Sequence, residues 1–173
     1  MDLEKRRIEI KKLDMKTIYV IMGVSGSGKT TIGQKISEFF GYNFFDGDDF
    51  HPQLNIDKMS NGFQLDDTDR KPWLKAINRH MLNQNQSAIY ACSALKEDYR
   101  KLLSQDLGSI EFIYLKGNFN QIYNRIGKRE NHFMPPHLLK SQFEVLEEPS
   151  NVIVVDISQS IDDIINELKR KLK

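Results

Sequence analysis

Residues 23–30 read Gly-Val-Ser-Gly-Ser-Gly-Lys-Thr, which sets Gly23, Gly28, Lys29 and Thr30 at the G-x-x-x-x-G-K-T spacing. The residue types match a task. Gly23, Gly26 and Gly28 admit backbone conformations that a Cβ would obstruct, so the N–H groups around Ser25 and Ser27 can turn toward one anion. Lys29 brings a point charge for terminal phosphates, and the Thr30 hydroxyl can ligate Mg²⁺. Thr31 continues into a helix whose unpaired N-terminal N–H groups add to the cradle. The flanks agree: the apolar run Ile18–Met22 precedes the loop, and Ile32, Ile36, Phe39 and Phe40 follow at helical spacing. A plain glycine-rich turn accounts for this less well than a nucleoside triphosphate site.

A second acidic feature follows the next apolar run. Asp46 and Asp48 stand two apart, directly after Phe44-Phe45. At a strand end beside a triphosphate, one carboxylate can hold a water of the metal shell while the other takes the proton of an attacking hydroxyl. The third apolar run ends Ala91-Cys-Ser-Ala without an acid, so Asp46 is the nearest metal-side carboxylate and Asp48 the acceptor-side one. A solvated Asp-Gly-Asp turn is the alternative.

The elements that must position these groups are legible as an alternation. Strands are expected at 18–22, 42–45, 87–92, 110–115 and 152–155. Helices are expected after the glycine loop, at about 55–60, from Asp69 through Trp73, Ile77 and Met81, at 95–103, from Asn118 or Asn120 to about 129, at 137–146, and through Ile161, Ile164, Ile165, Leu168 and Leu172. Strand–helix alternation at this spacing means an α/β fold of the P-loop NTPase type: five parallel strands, helices on both faces, and ligands beyond the carboxyl ends of the strands. At 173 residues the chain is read as one domain from residue 17 onward, preceded by a loosely held extension, 1–16, in which Met15 is an alternative start.

Composition sets outer limits. A formal net charge of +1 argues against a nucleic-acid binder driven by bulk electrostatics. One cysteine, Cys92, excludes an intramolecular disulfide and suits a reducing, cytoplasmic setting. No apolar run approaches the roughly 20 residues of a membrane span, and the charged N-terminus lacks the apolar core of a secretion signal.

Beyond the glycine loop, longer runs carry a resemblance. Asp46-Gly-Asp-Asp-Phe-His-Pro52, Asn55-Ile-Asp-Lys-Met59, Asp69-Arg-Lys-Pro-Trp-Leu74, Cys92-Ser-Ala-Leu-Lys96, Tyr114-Leu-Lys-Gly117 and Leu146-Glu-Glu-Pro149 resemble the small gluconokinases. The similarity spans Ile18 to the last helix. It implies ATP-dependent phosphorylation of D-gluconate to 6-phosphogluconate, for the pentose phosphate or Entner–Doudoroff routes. It also implies a fold related to shikimate and adenylate kinases, a helical substrate-binding segment, a lid and a homodimer. Asp49 departs from the family pattern, which keeps Asp46, Asp48 and Asp49 all open for the acid–base role.

A sugar acid requires cations for its carboxylate and polar groups for its hydroxyls. His51, Asn55, Lys58, Arg70, Lys96, Arg100 and Gln142 are the candidates, with Asp48 on the reacting hydroxyl. Solvated helix faces or a turn remain alternatives for several of them. Arg125, Lys128, Arg129 and His132 form a basic segment with Gly127 and Pro135-Pro136 nearby, a lid at about 125–136. By the resemblance, Arg125 stacks on adenine and Arg129 reaches the phosphates as a catalytic group. A backbone cradle for adenine is expected at 156–159. A shikimate- or nucleotide-type kinase is the other enzymatic reading. A regulatory GTPase is disfavoured because no Asn-Lys-x-Asp run occurs.

Overall fold

The structure, a computed structural model, describes residues 16–128 and 135–172. Five strands, β1 (Ile18–Met22), β2 (Asn43–Asp46), β3 (Ala88–Ala91), β4 (Ile110–Lys116) and β5 (Ile153–Asp156), form one sheet in the order β2-β3-β1-β4-β5. Every pairing is parallel. The chain runs from β1 outward to β2 and β3 on one side, then crosses to β4 and β5 on the other. The loop after β1 therefore lies at the switch point where such sheets bind ligands.

Side chains of β1 show why both faces must be covered. Ile18, Val20 and Met22 point to one core with Trp73, Leu74, Ile77, Met81, Tyr90 and Leu103. Tyr19 and Ile21 point to the other, with Ile32, Ile36, Ile122, Leu139, Ile164 and Leu168. The five residues of β1 are all buried, as expected of a central parallel strand.

The first core is closed by α3 (Asp67–Leu82) and α4 (Glu97–Ser104). The second is closed by α1 (Lys29–Phe40), α5 (Phe119–Gly127), α6 (Pro136–Val145) and α7 (Ile161–Lys171). The short helix α2 (Gln53–Ser60) lies between β2 and α3.

Element boundaries shift by up to two residues from the sequence expectation, and two of the shifts bear on helix capping. Helix α3 begins at Asp67, not near Asp69, because Asp66 is the cap: its carboxylate accepts from the Asp69 N–H, and the Asp69 carboxylate accepts from the Asp66 N–H. This reciprocal capping box satisfies two orphan N–H groups at once. Helix α5 ends at Gly127 rather than about 129; Asn118 caps it in the same reciprocal manner with Gln121. On α7, Ile161 is 44% exposed while Ile164, Ile165, Leu168 and Leu172 are buried, so the apolar stripe starts one turn later than the sequence pattern implies.

Candidate active site

The loop after β1 adopts positive φ at Gly23, Gly26 and Gly28. Gly28, at φ 102°, is the N-cap of α1 and lets the chain turn straight into the helix. At Gly23 a Cβ would lie 2.8 Å from Ser27 Oγ and 3.0 Å from the Leu115 carbonyl, so the loop also needs close backbone approach there. The Lys29 ammonium donates to the carbonyls of Gly23 and Val24, both at 3.1 Å, and so lies across the loop it serves. Ser27 Oγ is buried and has no hydrogen-bond partner among the described residues.

Asp46 links this loop to the acceptor side. Its Oδ2 accepts from the Thr30 hydroxyl at 2.8 Å, and its Oδ1 accepts from the Asp48 N–H at 3.0 Å. Sheet register explains why Asp46 can serve where β3 has no acid: Asp46 is paired with Ala91, the last residue of β3, which in turn pairs with Ile21 of β1. The carboxylate reaches across from the neighbouring strand. A hydroxyl and a carboxylate held this close form an oxygen pair suited to a small hard cation that keeps most of its waters and its substrate phosphates.

Asp48 lies on a short 3-10 turn, Gly47–Phe50, pinned from beneath. The Trp73 indole N–H donates to the Gly47 carbonyl at 2.7 Å. A Cβ on Gly47 would meet the Ala91 carbonyl at 2.5 Å, so that position has no room for a side chain. The Asp48 side chain faces the open cleft and is 86% exposed. The surrounding walls nevertheless disfavour its charged form: burial pushes its pKa up, Asp46 adds to this, and Lys29 opposes it.

Two cavities meet at these groups. One, of about 860 Å³, is lined by the glycine loop with Thr30, Thr31, Asp46 and Asp48, and by Ile126 and Pro135. The other, of about 320 Å³, holds His51, Arg70, Trp73 and Gln142. Ser25, Lys29 and Asp48 line both. The triphosphate loop and the acidic strand tip thus face one cleft. Asp49 lines neither cavity, which separates it from Asp46 and Asp48.

Of the eight groups expected around the acceptor, four line the smaller cavity: Asp48, His51, Arg70 and Gln142. Gln142 also docks α6 onto the glycine loop, its Oε1 accepting from the Ser25 N–H at 2.7 Å. The other four are engaged elsewhere. The Lys58 ammonium is 2.5 Å from Asp69 and the Lys96 ammonium 2.9 Å from Asp67, so both brace the first turn of α3. These contacts hold the Asp67 and Asp69 carboxyls below the usual range: for Asp67 the Tyr99 hydroxyl acts first and Lys96 second, and for Asp69 Lys58 leads. Asn55 is buried and bonds His51 and the Asp69 carbonyl.

Arg100 is the clearest correction. It lies four residues after Lys96, the N-cap of α4, but does not line the smaller cavity where an acceptor contact was expected. Its guanidinium is buried and donates to the carbonyls of Ala94, Leu95 and Glu147 at 2.8, 3.2 and 3.1 Å. Ala94 has φ 45°, an unfavourable conformation for a residue with a Cβ, and Arg100 helps hold it. Arg100→Met should therefore lower unfolding free energy by about 1–3 kcal/mol, the range for stranding buried carbonyls. Denaturant melts check this; in the folded fraction the KM for the acceptor should change little.

Among the described lid residues, Arg125 donates to the Ile157 carbonyl, which brings it to the 156–159 loop. Arg129 and His132 lie outside the described residues, as do residues 1–15 of the N-terminal extension. Lys16, its last residue, bonds the carbonyls of Leu82 and Gln84.

Sequence reasoning did not single out Ser93, Ser141, Gln64 or Trp73 as lining residues of the smaller cavity. Ser93 follows the carboxyl end of β3, a position that itself points to ligand contact. Leu138, Ser141, Gln142 and Val145 all line the cavity at offsets 0, 3, 4 and 7, one helix face, so choosing Gln142 implied Ser141.

Comparison with known proteins bears on this geometry. A family model described as shikimate kinase matches residues 25–173. A probable gluconokinase of Dictyostelium discoideum is 42% identical, across 99% of this chain and 92% of that protein. The thermoresistant gluconokinase of Escherichia coli K12 is 44% identical, across 86% and 89%. The chain belongs to the gluconokinase family, on the shikimate kinase scaffold. The crystal structure of a gluconokinase from Sinorhizobium meliloti 1021 superposes with a TM-score of 0.82 at 42% identity, covering 89% of each chain. A Mycobacterium tuberculosis APS kinase, 18% identical with a TM-score of 0.66, shares the fold alone. As a gluconokinase-family member this protein is an enzyme, a phosphotransferase with an alcohol acceptor, and its kinase family implies ATP as donor.

Proposed function

We propose that the protein transfers the γ-phosphoryl group of Mg·ATP to the 6-hydroxyl of D-gluconate, giving 6-phospho-D-gluconate and ADP. The observation that carries this reading is the shared wall: Ser25, Lys29 and Asp48 border both the triphosphate cavity and the smaller one. Family membership supplies the substrate, since the named relatives at about 40% identity are gluconokinases.

Each residue then has a part. The N–H groups of 23–31 and the Lys29 ammonium hold the β and γ phosphates. Thr30 and Asp46 would hold Mg²⁺, directly and through water, and the ion would neutralise charge on the phosphate oxygens. Asp48 orients the 6-hydroxyl and takes its proton as the oxygen attacks phosphorus. Arg70 pairs with the carboxylate of gluconate, while Gln142, Ser93 and Ser141 bond its hydroxyls. Arg125 at the adenine end and Arg129 at the phosphates belong to a lid at 125–136 that closes over both substrates. A homodimer in the cytoplasm belongs to the same reading, on the family resemblance.

ADP release measured over gluconate, other sugar acids, shikimate, adenylyl sulfate and nucleoside monophosphates tests the assignment. Gluconate should give the highest kcat/KM; turnover on another acceptor with none on gluconate defeats it. Arg70→Gln should raise the KM for gluconate by about 10- to 100-fold, the loss of one charge-assisted contact, with a smaller change in kcat.

A further inference from the structure

Asn55 and His51 form a pair whose hydrogen bonding admits one arrangement. The Asn55 side-chain nitrogen lies 2.9 Å from the Asp69 carbonyl, which can only accept. That contact fixes which end of the amide is NH₂. The same nitrogen lies 3.3 Å from His51 Nδ1, and its second hydrogen points there. His51 Nδ1 must then present a lone pair, and the ring proton resides on Nε2. The ring itself is clamped: it stacks on Trp73 with centroids 4.2 Å apart and planes 14° from parallel. Its Nε2 lies 4.0 Å from Asp48 Oδ1.

That separation is too long for a direct hydrogen bond but has a use. An oxygen about 2.8 Å from each atom would sit between them at about a right angle. One hydroxyl could accept from His51 Nε2–H, donate to Asp48, and keep its second lone pair for phosphorus.

We propose that Asn55 is a positioning residue that locks His51 as the Nε2–H tautomer, so that His51 and Asp48 form a matched donor and acceptor for the reacting hydroxyl. This deepens the gluconate kinase reading and rests on it. An imidazolium would serve worse, drawing on the nucleophile's lone pair and weakening Asp48 as a base. The surroundings keep the ring neutral: burial, then Arg70, lower its pKa to about 4. Asp48 from the turn, Arg70 from α3 and Lys29 from the glycine loop are the charged groups in the cavity beside it; α6 contributes the uncharged Ser141 and Gln142.

Long-range ¹H–¹⁵N NMR of the full-length protein reads the tautomer without any turnover. In the wild type, His51 should show a protonated Nε2 and a bare Nδ1 throughout about pH 5 to 8. Asn55→Asp places a carboxylate against Nδ1, so the neutral ring should carry its proton there and leave Nε2 bare, and kcat/KM for gluconate at neutral pH should fall about tenfold. A second pair avoids reliance on that variant folding. His51→Gln can present an amide N–H near the Nε2 position, whereas His51→Asn can do so only near Nδ1. His51→Asn should therefore lose about tenfold more kcat/KM than His51→Gln, the value of one hydrogen bond. An Nδ1-protonated or freely titrating wild-type ring, or equal loss in the two His51 variants, overturns the proposal. If the wild type does not phosphorylate gluconate at all, the kinase reading itself fails, and the NMR spectrum still decides the tautomer.

Discussion

Asp48→Asn should lower kcat on gluconate by about 10²–10⁴-fold, or about 3–5 kcal/mol of transition-state stabilisation, while ATP still binds. Asparagine keeps the size of the side chain but loses its charge and its ability to take a proton. The backbone bond from the Asp48 N–H to Asp46 does not involve the side chain, and the Thr30–Asp46 contact is untouched. The nucleotide half of the cleft should therefore stay formed. Calorimetric titration with ATP should give a dissociation constant near the wild-type value, and steady-state rates should show the loss in kcat. If Asp48→Asn turned over normally, the proton would have to go to Asp46 instead, since Asp49 lines neither cavity.

Lys29→Ala should damage both functions together, lowering kcat by about 10²–10³-fold and weakening ATP binding as well. Lys29 is placed to act in both ground and transition states: its ammonium lies across the loop, 3.1 Å from two of its carbonyls, and it borders both cavities. Binding and rate are separable in the same two assays. A variant with normal ATP affinity and normal kcat would remove the loop from the chemistry.

Contrasting outcomes at these two positions follow from how the site is built, and so does the extent to which the sequence disclosed it. The glycine loop is a local device: three glycines, a lysine and a threonine within eight residues dictate their own geometry, and all appear where the spacing placed them. Asp46 and Asp48 were legible for a similar reason, since the end of β2 needs only an apolar run and its boundary. The distant pairings were not legible. Lys58 and Lys96 look like free cations in the sequence, yet each is paired with a carboxylate at the start of α3, Asp69 and Asp67, 11 and 29 residues away. Arg100 looks like half of a helical i, i+4 pair. Its actual partners are three backbone carbonyls on two segments, one of them at a strained alanine.

Trp73 illustrates a further difficulty. Its helical spacing with Ile77 and Met81 correctly marks it as core. The same spacing is silent about its indole N–H, which supports the turn beneath Asp48, and about its ring, against which His51 stacks. A periodic pattern reports which face is buried, not which polar atoms that face carries to a neighbour. The start of α3 was misplaced by two residues for a related reason: Asp66 and Asp69 are both plausible caps, and only their reciprocal bonding shows which one leads.

One spatial arrangement underlies the mechanism: the hydroxyl to be phosphorylated lies between Asp48 and the phosphates held by the glycine loop. A crystal structure of the enzyme with ADP, aluminium fluoride, magnesium and gluconate measures that directly. The 6-oxygen should lie within hydrogen-bond distance of Asp48 and in line with the metal fluoride above Lys29, with the gluconate carboxylate at Arg70. Gluconate bound with its carboxylate toward the fluoride, or outside the cavity of His51, Arg70 and Gln142, would contradict it.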